Sequence, residues 1–252
     1  WFVDNLATDD ENSATALEFM GIHAGDGMIN CTFAPAVESW EHWALVAHPS
    51  EGYFLYRNGV LESGCSAETD DDPFAAEIMG ISGGVVVGSR WDLDTDTDKH
   101  FFNAVIDEFF FAPRFLSEDA VRALAGQVPS PVPTISIAPT TVESSAEVLM
   151  YFENSLQNNG TGTDISDINA TGMTYSGTIV EQGAYSADFN GHDNYLEFDI
   201  GDTDQDTYTF AFWCYFRGYG QRLERAYIVD NRVSAEDGFA WFVDTLATGD
   251  TD

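Results

Sequence analysis

Four aspartates at alternate positions, Asp92, Asp94, Asp96 and Asp98 in RWDLDTDTDKHFF, form a dense set of candidate metal ligands. Calcium favours carboxylate oxygens and takes roughly six to eight oxygen ligands in all, carbonyls and waters included. On a regular strand, alternate residues share a face, and four carboxylates would repel one another there. A loop wrapped around Ca2+ accommodates them better. It is not an EF-hand, because neither Asp92 nor Asp94 as the first position is followed by glycine at the sixth or glutamate at the twelfth. Asp202, Asp204 and Asp206 in GDTDQDTY make a second acid-rich loop. For any one of these acids a solvated carboxylate is the simpler reading; for the domain as a whole, at least one structural Ca2+ is expected.

Catalytic constellations are poorly represented. A glycosidase needs two carboxylates across the scissile bond, and Glu197 and Asp199 in LEFDIGD alternate without the closing glutamate of a Glu-x-Asp-x-(x)-Glu pattern. Asp107 and Glu108 are adjacent in VIDEFFF, so strand alternation predicts that they face opposite sides. The histidines, His23, His42, His48, His100 and His192, are scattered, with no His-x-x-x-His pair and no Gly-x-Ser-x-Gly elbow. The segment is therefore expected not to be an enzyme. Three sequons, Asn30-Cys-Thr, Asn159-Gly-Thr and Asn169-Ala-Thr, are candidate glycosylation sites. The latter two lie in a Gly-, Asn- and Thr-rich stretch that reads as an accessible loop. Cys31, Cys65 and Cys214 fit neither zinc spacing nor a redox motif and allow at most one intrachain disulfide. Cys31 and Cys214 sit in strand-like runs, where a buried thiol acts as a small hydrophobe.

The 43 acids against 9 bases give a formal charge of −34, which repels phosphate backbones and excludes nucleic acid as a partner. Aromatic residues make up 14% of the chain, too many for a disordered polymer, so it should fold. No apolar run is long enough to insert in a membrane. The first residues lack the basic start and cleavage site of a signal peptide, so the segment reads as internal to a larger protein.

The elements that must position these residues are organised by a repeat. WFVDNLATDD at Trp1–Asp10 recurs as WFVDTLATGD at Trp241–Asp250, eight of ten residues identical at an offset of 240. Between the copies, QVPSPVPTISIAPTTVESSAE at 127–147 holds four of the eight prolines and reads as a semi-rigid Pro/Ser/Thr-rich linker. Upstream, WEHWALVAHP, GGVVVGSRW and FFNAVIDEFFFAP read as strands, and Asn58-Gly59 in GYFLYRNGVLES suits a type I′ hairpin turn. LSEDAVRALAG changes to a helical period, with Ser117 as N-cap and Gly126 as the stop. Downstream, DTYTFAFWCYF places Tyr208, Phe210, Phe212, Cys214 and Phe216 on one face and Trp213 and Tyr215 on the other, as in a central strand covered on both sides.

The pieces YTFAFW, WEHWALVAHPSEGYFLYRNG and VIDEFFFAPRFLSEDAVRAL resemble the laminin-G-like, concanavalin A-like jelly-roll superfamily. The resemblance implies an all-β antiparallel jelly-roll sandwich with one short helix, repeated in tandem through the linker. It covers nearly the whole chain apart from the linker. It also implies that Asp107, on the late strand, is a structural calcium ligand. The pieces run in family order only if the part after the linker precedes the part before it. Residues 1–126 are thus read as the C-terminal part of one domain, and 148–252 as the N-terminal part of the next. The expected function is a structural or adhesive repeat of a long extracellular, cell-surface protein that meets copies of itself head to tail as a fibre or array. The alternative is a calcium-dependent, lectin-like adhesin that contacts glycans or other matrix. Because each half alone would expose strand edges, a neighbouring copy is the expected complement; the rival is closure of the two halves within one chain, with the linker folding them together.

Overall fold

The computed structural model describes residues 17–24, 27–31, 35–48, 52–62, 65–67, 81, 83–89, 101–126, 146–162, 166–201, 207–218, 226–231 and 239–246. Strands of the first half are Leu17–Ala24 (β1), Gly27–Cys31 (β2), Trp40–His48 (β3), Gly52–Arg57 (β4), Val60–Leu61 (β5), Cys65–Ala67 (β6), Gly84–Val87 (β7) and Asn103–Ala112 (β8), followed by helix Glu118–Leu124 (α1). Those of the second are Val148–Met150 (β9), Ser166–Thr171 (β10), Thr174–Ser176 (β11), Ser186–Asn190 (β12), Tyr195–Asp199 (β13), Tyr208–Phe216 (β14), Ala226–Asp230 (β15) and Phe239–Leu246 (β16).

The chain is all-β, with two antiparallel sheets. The first has the order β10-β13-β7-β15-β16-β1-β2-β6; the second runs β11-β12-β8-β14-β3-β4-β5, with β9 also paired to β8. Their facing sides share one core. Alternation turns Tyr208, Phe210, Phe212, Cys214 and Phe216 of β14 inward, where they meet Phe239, Trp241 and Val243 of β16. The opposite face of β14 is covered too: Ala211 packs with Val46, Phe110, Leu116 and Val121 beneath α1.

The local signals act as the sequence predicts. Asn58 and Gly59 take φ 51° and 73°, the paired left-handed conformation of a two-residue hairpin loop, and join β4 to β5. The Ala120 amide donates to Ser117 Oγ at 3.4 Å, capping α1, and Gly126 ends it at φ 67°.

Strands from 1–126 and 148–252 are interleaved in both sheets. β14 lies between β3 and β8, while β7 lies between β13 and β15. The strand edges that either half alone would expose are thus paired within this chain. Trp241 and its neighbours occupy the β16 position between β15 and β1; the matching Trp1–Asp10 lies outside the described residues, as do 127–145. The final two residues of the expected linker belong to the fold. Ala146 is buried, and the Glu147 amide donates to the Phe111 carbonyl at 2.9 Å.

Candidate functional site

The outer face of the second sheet carries the one concentration of perturbed and unpartnered polar groups among the described residues. It begins at a defect in β8. The register against β14 shifts between Ala211 and Trp213, and Glu108 takes φ 51°. This is a β-bulge, an extra residue that re-aims side chains. It registers Asp107 opposite Trp213 and turns Glu108 into the concavity that Trp213 lines. Strict alternation, which put Asp107 and Glu108 on opposite faces, is overridden here because the left-handed residue resets the pleat.

That concavity is small, about 20 Å³, and is bounded by His42, Glu108, Phe110, Leu124, Tyr151 and Trp213. The His42 and Trp213 rings meet edge to face with centroids 5.3 Å apart. His42 Nδ1 and Trp213 Nε1 are buried without a hydrogen-bond partner. Burial pushes the His42 imidazole down to about 3, so it stays neutral at physiological pH and is unsuited to proton shuttling near neutrality. Glu108 accepts from the Gln182 side-chain amide at 2.8 Å.

Asp107 is 1% exposed and sits within β8. Its Oδ1 accepts from the Glu108 amide at 2.9 Å, and its Oδ2 from the Gln182 and Glu181 amides at 3.1 and 3.3 Å. Burial is the largest influence and pushes its carboxyl up to about 6; the three backbone donors oppose this, while the nearby Glu153 charge adds to it.

These partners bear on the calcium expectation. The Asp107 oxygens are engaged by three N–H groups, and Glu153 accepts from the Ala184 amide at 3.0 and 3.1 Å. Among the described residues no three His, Cys, Asp or Glu side chains are grouped to hold a metal ion. The described surroundings of Asp107 therefore do not fit a calcium site. Asp94, Asp96 and Asp98, with Asp92, lie outside the described residues, as do Asp202, Asp204 and Asp206.

Of the sequon residues, Asn159 and Asn169 are both exposed. Asn169 is not in a loop, however: it lies in β10, at the end of the first sheet's strand order, opposite Glu197. Next to Asn159, the Thr161 hydroxyl donates to the Ala146 carbonyl at 2.9 Å. Asn30 is in β2, opposite Gly21 on one side and Ser66 on the other. Glu197 and Asp199 share β13. Cys214 is fully buried in the core, its thiol pushed up by burial and by Glu41, as expected of a cysteine acting as a hydrophobe.

The sequence reading missed the concavity. The Trp and His residues were visible as strand residues, but the bulge that gathers them with Glu108 has no composition cue. Among the described residues no helix is long and apolar enough to cross a membrane. No family model, curated protein or solved structure matches the chain.

Proposed function

We propose that the chain is one period of a long extracellular tandem-repeat protein, a structural or adhesive array of laminin-G-like jelly-roll sandwiches joined by Pro-rich linkers. The observation that carries this reading is the pairing of β16 with β1, Leu246 opposite Leu17 through Phe239 opposite Ala24. With a period of 240, Leu246 is equivalent to Leu6, and the ten residues Ala7–Ala16 separate Leu6 from Leu17. In an array, β16 of one copy and β1 of the next are therefore the two arms of a hairpin with a ten-residue connection. The first sheet then reads β15-β16-β1-β2 as a continuous meander across the period boundary. Each sandwich draws its β9–β16 strands from one copy and β1–β8 from the next, and consecutive sandwiches follow head to tail.

The test is a permuted chain that runs from Ala146 to Leu246 and continues through Ala7 to Gly126. It should fold as a monomer at least as stable as the present chain, since a ten-residue loop replaces the longer linker as the connection between halves. An unfolded permutant, or one markedly less stable, would overturn the reading. Imaging of native material should show beads in a row.

A second reading, a lectin-like adhesin, draws on Trp213, Tyr151 and Glu108 at the outer face, since aromatic side chains beside a carboxylate suit a polyhydroxylated ligand laid against the surface rather than enclosed in the small concavity. Its calcium dependence would rest on Asp94, Asp96 and Asp98. Glycan-array binding that is lost with a chelator would favour it; no binding in either condition would dismiss it.

A further inference from the structure

Cys214 faces the sealed core between the sheets, which leaves Cys31 and Cys65 as the remaining pair. β2 and β6 run antiparallel, with Ile29 opposite Ala67, Asn30 opposite Ser66, and Cys31 directly opposite Cys65. Residues directly opposed in an antiparallel pair have Cα atoms about 4.5–5.5 Å apart and side chains on the same face. A disulfide needs a Cα separation of about 4.4–6.8 Å. The backbone register thus places the two residues at positions where a disulfide can form. We propose that Cys31 and Cys65 are joined by a disulfide in the mature protein.

The sequence could not select this pair, because 33 residues separate the two cysteines and nothing local announces their register. Those residues contain β3, β4 and β5, which belong to the second sheet, whereas β2 and β6 belong to the first. The bond therefore closes a loop that leaves one sheet, builds the edge of the other, and returns. β6 is a three-residue strand at the end of the first sheet's order, and among the described residues it pairs with β2.

Formation is a two-electron oxidation, with a small-molecule or protein disulfide as the oxidant. One cysteine thiolate attacks a sulfur of the oxidant, forming a mixed disulfide and releasing one thiolate. The second cysteine thiolate attacks the protein sulfur of that mixed disulfide, forming the Cys31–Cys65 bond and releasing the other thiolate. The two protons given up by the cysteines end on the two released thiolates. Such a bond persists in an oxidising compartment, in keeping with the extracellular placement, but it does not depend on the array.

The experiment uses the whole chain secreted through an oxidising compartment and purified without reductant. Thiol counting after denaturation should find one free thiol of the three cysteines, and a non-reduced peptide map should contain Cys31 linked to Cys65. Three free thiols, a linked peptide containing Cys214, or linkage between chains would overturn the proposal. Reductant should lower the Tm of the wild type and of Cys214→Ser by about 10 °C, as expected for closing a loop of this length in a chain of this size. It should leave Cys31→Ser/Cys65→Ser unchanged; an unchanged wild-type Tm would also overturn the proposal. If the double variant does not fold, the wild-type thiol count and map still decide. None of these outcomes bears on the permuted chain, so failure here is separate from failure of the array.

Discussion

Trp241 of β16 faces Trp43 of β3 across the two sheets, with ring centroids 6.3 Å apart and planes at 45°. Trp43 lies before the linker and Trp241 after it, and both are at most 1% exposed. Trp241 also meets Phe212 at 5.3 Å, so this residue bridges β16 to the central strand of the opposite sheet. The aromatic core is thus built by side chains from both halves.

The duplicated WFVD motif gives this packing a direct check. Trp241→Ala should destabilise the chain by about 3–5 kcal/mol, the usual effect of truncating a buried tryptophan. Trp1→Ala should change stability by no more than about 0.5 kcal/mol, because β16 already occupies the position beside β1. Urea denaturation of the two variants compares them. Equal losses would mean that the two copies share the position.

Asp107 predicts a pH dependence of defined sign. Its carboxyl titrates near 6 in the folded chain against an ordinary 3.8, so the folded state holds the proton more tightly than the unfolded chain. Stability from this group is therefore fully present below about pH 4 and is lost as pH rises through about 6. Asp107→Asn should remove that component, leaving the variant's stability flatter between pH 4 and pH 6.5 than the wild type's. The quantity to measure is the difference between the two denaturation series, because the other acids contribute to both. A difference that does not vary with pH would contradict the assignment.

Much of the architecture was legible because it is written in local periodicity. The alternation in DTYTFAFWCYF identified β14 as central, Asn58-Gly59 marked the hairpin of β4 and β5, and Ser117 marked the start of α1. Long-range register was less accessible. Whether β14 would find β3 and β8 in its own chain or in a neighbour depends on how the linker folds back, which no local pattern encodes. The opposition of Cys31 and Cys65 is hidden for the same reason, since it follows from two strands leaving and rejoining one sheet. At the outer face, period-two reasoning failed at the left-handed Glu108, whose side-chain type gives no warning of positive φ. Arg217 and Asp188, paired through two contacts of 2.6 and 2.9 Å, likewise stand 29 residues apart with no shared motif.

Exposure predicts the order of glycan attachment. Asn159 and Asn169 present exposed side chains, whereas Asn30 lies in a strand paired on both sides. Peptide mapping of native material should find modification at Asn159 or Asn169 ahead of Asn30. Unmodified peptides at both exposed sites, or modification at Asn30 alone, would reject this.

Calcium is tested by separating its specific effect from charge screening. With a formal charge of −34, the folded chain is stabilised by any added cation, because counterions weaken repulsion among carboxylates. A structural site does more: an ion held only by the folded state raises its stability according to the ratio of free ion to Kd. Asp107 is already occupied by backbone donors, so an ion-binding site would draw on Asp94, Asp96 and Asp98 instead. Removing Ca2+ at constant ionic strength should then lower Tm by several degrees, and replacing those three aspartates with asparagine should abolish the response while Asp107→Asn retains it. Equal Tm values with calcium and with monovalent salt of the same ionic strength would leave these carboxylates as solvated surface charge.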